Sequence, residues 1–118
     1  MIAVALLILF CMLDPARAPA TAPAPRQADA NRWAEPTRGL LAQHCGRCHL
    51  PNLPTSNARA LAIFNLTEEP WYGRMTNEQL DSLLPRVRSI RELTDADRTI
   101  VERFVHCARD HDCPPVDP

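Results

Sequence analysis

Cys45-Gly46-Arg47-Cys48-His49 (CGRCH) is the stretch on which the reading of this chain turns. Two thiols separated by two residues, with an imidazole directly after the second, match the pattern by which a haem is tethered covalently. Each thiol can form a thioether to one vinyl group, and the imidazole then offers a nitrogen to the iron from one side. One helical turn or tight loop must present both sulfurs and the imidazole to a single flat ring. The same side chains also serve two other chemistries. Cys45, Cys48 and His49 with a fourth donor can hold zinc, or the two thiols can cycle as a thioredoxin-like dithiol. The chain has no second ligand pair at suitable spacing for the first, and no βαβ pattern around the motif for the second.

Covalent haem attachment presupposes export, so the N-terminus comes next. Ile2 to Leu13 (IAVALLILFCML) is an uninterrupted apolar run. It is too short for a comfortable membrane span, which takes about 20 residues, and suits the core of a secretory signal peptide. Small residues at Ala16-Arg17-Ala18 and Ala18-Pro19-Ala20 offer cleavage sites, although no Lys or Arg precedes the run. Residues 1–20 are therefore expected to be a signal peptide, either removed or kept as an N-terminal membrane anchor. Residues 21–30 are mostly Ala and Pro, which bury little, and read as a disordered linker. From Asn31 the remaining 88 residues form one small domain, 31–113, followed by a short tail, 114–118. A domain of that size has a marginal core unless something is packed into it.

Charge excludes one class of partner. All 13 basic residues are arginine, set against 14 acidic ones, for a formal net charge of −1. Nucleic-acid binding would need a basic face. The five cysteines sort themselves. Cys11 lies in the leader, Cys45 and Cys48 in the motif, and Cys107 and Cys113 stand six apart near the C-terminus. In an oxidising compartment that last pair is expected to form a disulfide, the alternative being two free thiols.

Four helical segments and no convincing strand can be read. The first covers Pro36 to His44, with proline in its first turn. The second covers Asn57 to Asn65, with Ser56 as its N-cap. The third opens on Thr76-Asn77-Glu78-Gln79, a capping box, and carries Leu80, Leu83, Leu84 and Val87 before Pro85 is expected to kink or end it. The fourth opens on Thr94-Asp95-Ala96-Asp97 and carries an apolar stripe of Ile100, Val101, Phe104, Val105 and Ala108.

A short helix running into CxxCH, a proline-containing loop, further helices and a capped last helix resemble the single-haem class I c-type cytochrome domains. The likeness runs from about Pro36 to Ala108. It is carried by the pentapeptide, by the Gly39-Leu40-Leu41 lead-in, and by Leu93-Thr94-Asp95-Ala96-Asp97 with its stripe. It implies an all-α fold, a small cytochrome c-like domain of about four short helices around a covalently bound haem c. It also implies a proline carbonyl, from Pro51 or Pro54, accepting a hydrogen bond from the ligating His49. The family's second axial ligand is a methionine in the loop before the last helix. Here that loop, Arg86 to Leu93, has none, and Met75 is the candidate, 26 positions after His49. Met75 also suits a packing role beside Thr76 and Leu80.

His44, His106 and His111 compete weakly for the iron and read better as solvated side chains. Trp71, Tyr72 and Arg74 offer donors for haem propionates, or two core aromatics and a surface arginine. Arg86, Arg88 and Arg91 make a basic stretch suited to an acidic partner, to the propionates or simply to solvent. The function expected is an exported, periplasmic carrier of single electrons working with a redox partner protein, without being an enzyme itself. The alternative is a haem protein with an open sixth iron position that senses a small gas or handles peroxide.

Overall fold

The computed structural model describes residues 25–113, so the leader, its cleavage sites, Cys11 and the 114–118 tail lie outside the described residues. Four helices follow in order: α1 Pro25–His49, α2 Ala58–Ile63, α3 Asn77–Arg88 and α4 Asp95–Asp110. The described residues contain no strand, and none of their helices is long and apolar enough to cross a membrane. The all-α expectation holds.

Helix α1 is longer at both ends than its sequence signals suggest. It starts at Pro25, inside the stretch read as linker, and passes through Pro36 to reach His49. An internal proline removes one helical hydrogen bond and costs about 3 kcal/mol. Burial on both sides of it offsets that cost. Ala30, Trp33, Ala34, Thr37 and Leu41 are buried at helical spacing, while Pro36 lies on the exposed side. The guanidinium of Arg103 sits 5.1 Å from the Trp33 ring centroid and joins α4 to this face.

Helices α3 and α4 begin where their caps say. Thr76 and Gln79 form a reciprocal capping box, and so do Thr94 and Asp97. Pro85 does not end α3, which continues to Arg88. Its side chain is exposed, and Leu83 and Val87 on either side of it are buried. Helix α2 is shorter than expected and is capped by Asn57, whose Oδ1 accepts from the amides of Arg59 and Ala60. Ser56 instead ties its own loop, donating to the Leu50 carbonyl at 2.6 Å and accepting from the Leu53 amide.

The core is aromatic where α1, α4 and the 64–72 segment meet. Trp71 and Phe104 are fully buried with centroids 4.9 Å apart, and Tyr72 meets Phe104 edge-on at 5.1 Å. Helix α4 ends at His111 in the left-handed conformation, and Cys107 and Cys113 form the expected disulfide.

Candidate functional site

The CGRCH motif is the last turn of α1 and the residue closing it. Helical geometry places His44 with Cys48, and Cys45 with His49, four residues apart on adjoining columns. The C-terminal carbonyls of such a helix need partners. Leu50 donates its amide to the Gly46 carbonyl, Asn57 to Cys48 and Leu66 to His49, so the chain folds back and fixes the turn. Cys45, Cys48 and His49 line an open cleft of about 540 Å³ together with His44 and Arg47 of the same turn. Thr55 and Arg86 complete the lining from other parts of the chain.

His49 is held on two sides. Its ring stacks on Phe64 with centroids 3.6 Å apart and planes 3° from parallel. Its Nδ1 lies 3.0 Å from the Phe64 carbonyl oxygen. A carbonyl only accepts, so Nδ1 carries the proton and Nε2 is left with the free lone pair in the neutral ring. The acceptor is Phe64, not Pro51 or Pro54 as the likeness implies. Phe64 leaves α2 in an extended conformation (φ −152°), and its own amide bonds back to the Ala60 carbonyl.

Both motif cysteines are free thiols, Cys45 half-buried and Cys48 exposed. Burial pushes the Cys45 thiol above its ordinary value. The Arg86 guanidinium opposes that shift, and Cys48 adds to it. A dithiol exchanger needs a thiol that ionises readily, so the environment of Cys45 runs against that chemistry. Among the described residues no three His, Cys, Asp or Glu side chains gather as a cage for a metal ion, so the zinc reading gains no support.

The other residues singled out from sequence are spread over the fold. The Trp71 indole N–H donates to the Ala34 carbonyl at 3.2 Å inside the core. Tyr72 donates its hydroxyl to Asn31 Oδ1 at 3.0 Å, and Arg74 pairs with Glu68 at 2.8 Å. None of the three lines the cleft. Met75 is half-buried against the core and is also not in the lining. His106 pairs with Asp110, and His111 is the C-cap of α4. Of the basic stretch, Arg88 pairs with Glu102 while Arg86 faces the cleft. Two contributors had no sequence signal of their own, the Phe64 carbonyl and Thr55. Compared with known protein families, with curated proteins and with solved structures, the chain has no match.

Proposed function

We propose that this chain is an exported single-haem c-type protein that carries electrons one at a time to or from a redox partner. The observation that carries the reading is the hydrogen bond from His49 Nδ1 to the Phe64 carbonyl. It fixes the tautomer an iron-binding imidazole requires and raises the basicity of the other nitrogen. That imidazole shares one cleft with both thiols of the motif.

The residues present fit the group. Cys45 and Cys48 would hold the haem through thioethers, and His49 would bind its iron through Nε2. The bound haem would supply a ferric/ferrous couple, which needs no substrate. The chain's own part is to keep the imidazole oriented through Phe64 and to keep the aromatic core dry behind it. The cleft is open to solvent, which electron exchange with a partner would require.

Haem staining of a denaturing gel tests this directly, because only covalently held haem survives denaturation. Wild-type protein matured with a haem-attachment system should stain, and the Cys45→Ser, Cys48→Ser double variant should not. An unstained wild-type band overturns the proposal.

Met75 would be the second side chain to bind the iron, and its place outside the cleft lining favours a second reading, an iron open to small ligands. The Met75→Ala variant separates the two. Loss of the weak far-red ferric band assigns the methionine, whereas an unchanged spectrum that shifts with carbon monoxide assigns the open site.

A further inference from the structure

The cleft is one-sided in charge. Its lining includes Arg47, Arg86 and two histidines, and no carboxylate. Most described arginines near an acid have taken it: Arg38 pairs with Glu35 and Glu69, Arg74 with Glu68, Arg98 with Asp95, and Arg109 with Asp81 and Asp110. Within the last turn of α3, Arg88 takes Glu102 while Arg86 makes neither an ion pair nor a side-chain hydrogen bond among the described residues. A guanidinium presents five donors in a planar fork matched to a carboxylate. Its charge is felt across the cleft at Cys45. The aromatic and basic trio at residues 71–74 has spent its donors elsewhere.

Resting on the haem reading above, we propose that Arg86 is the anion-binding residue of the cleft, its guanidinium pairing with a propionate carboxylate of the bound haem. Arg47 lies on the tether's own turn, between the two thiols, and adds no second element. Arg86 reaches the same space from α3. A clamp there would hold the ring against α3 as well as α1. It would also favour the ferrous state, because removing a positive charge beside the iron favours the more positive ferric form.

The test uses the haem-loaded full chain and the variants Arg86→Gln and Arg86→Lys, with Arg47→Gln for comparison. The haem-stained gel comes first, since an unstained wild type fails the parent reading rather than this one. In redox titration Arg86→Gln should raise the ferric-to-ferrous ratio at fixed potential about threefold to tenfold, tenfold being about 59 mV for a one-electron couple. Arg86→Lys should recover part of that shift, and the helix content by circular dichroism should be unchanged because the residue is exposed on α3. If Arg86→Gln fails to take up haem while Arg86→Lys loads, the charge is needed at capture, which also supports the assignment. Wild-type potentials in both Arg86 variants overturn it. A wild-type potential that moves with added inorganic phosphate at constant ionic strength, and stops moving in Arg86→Gln, assigns a free anion instead and overturns the propionate pairing.

Discussion

Helix α1 changes character along its length. From Ala30 to Leu41 it presents a buried face of small and large apolar groups to α4 and the aromatic cluster. Towards its end the side chains open to the cleft: Cys45 and His49 are half-buried and His44, Arg47 and Cys48 are exposed, with Gly46 buried among them. One continuous helix thus joins a segment whose side chains hold the fold to a segment whose side chains are free for chemistry. The junction is rigid because the Trp71 indole and the Arg38–Glu69 pair fasten the upper part, while Leu50, Asn57 and Leu66 fasten the end. Precise placement of reactive groups favours regular elements over loops. Substitutions should therefore divide cleanly, with those in the upper part altering stability and those in the last turn altering reactivity.

The largest effect expected is from Phe104→Ala. The ring is fully buried between Trp71 and Tyr72, so truncation should cost about 3–5 kcal/mol. In a domain this small that loss should leave the chain largely unfolded at room temperature by circular dichroism. A cooperative melt close to the wild-type midpoint would show that the aromatic cluster is not the centre of stability.

Next comes Thr94→Ala, which removes the cap of α4 while leaving both parts of α1 untouched. Loss of an N-cap costs about 1 kcal/mol, and should lower the melting midpoint by about 4–8 °C. The pH dependence carries a second signature. Hydrogen bonds from Thr94 hold the Asp97 carboxyl below its ordinary value. A depressed folded-state value stabilises above the unfolded carboxylate range, and that contribution is lost as pH falls through the folded value. The difference between wild type and Thr94→Ala should shrink in acid.

The Thr76 capping box and the start of α4 at Thr94 were legible in the sequence because a cap is a contact between residues three apart. That two thiols and an imidazole share one cleft could be expected for the same reason, since they fall within five residues. What stayed hidden depends on contacts between distant parts of the chain. The likeness pointed to a proline carbonyl, but any backbone carbonyl can accept from His49, and nothing in the identity of Phe64 marks its own as the one. Trp71 reads equally as a propionate donor or a core ring until the Ala34 carbonyl, 37 residues away, claims its N–H. The Ala/Pro content of residues 21–30 suggested a spacer. The spacing of Ala30 with Trp33 and Ala34 outweighs that composition once α4 is there to receive the face.

Within the upper part of α1, Thr37 is the one buried polar side chain of the described residues, and its hydroxyl has no hydrogen-bond partner. Leaving such a group desolvated costs stability, and an apolar group of the same shape removes the cost. Thr37→Val should therefore raise stability by about 1 kcal/mol in chemical denaturation. A decrease would mean that the hydroxyl is satisfied in solution.

The smallest effect is a difference between the two thiols of the last turn, and it is the most direct probe of where α1 stops packing. Alkylation proceeds through the thiolate. With both thiols free, Cys45 is half-buried with its thiol pushed up by burial, whereas Cys48 is exposed. Iodoacetamide at neutral pH should label Cys48 several-fold faster than Cys45, read by mass spectrometry of the separated peptides. Because the Arg86 charge works against the burial shift, Arg86→Gln should slow Cys45 further and leave Cys48 nearly unchanged. Equal rates at the two thiols would place Cys45 in solvent and move the boundary between the two parts of α1 back toward Leu41.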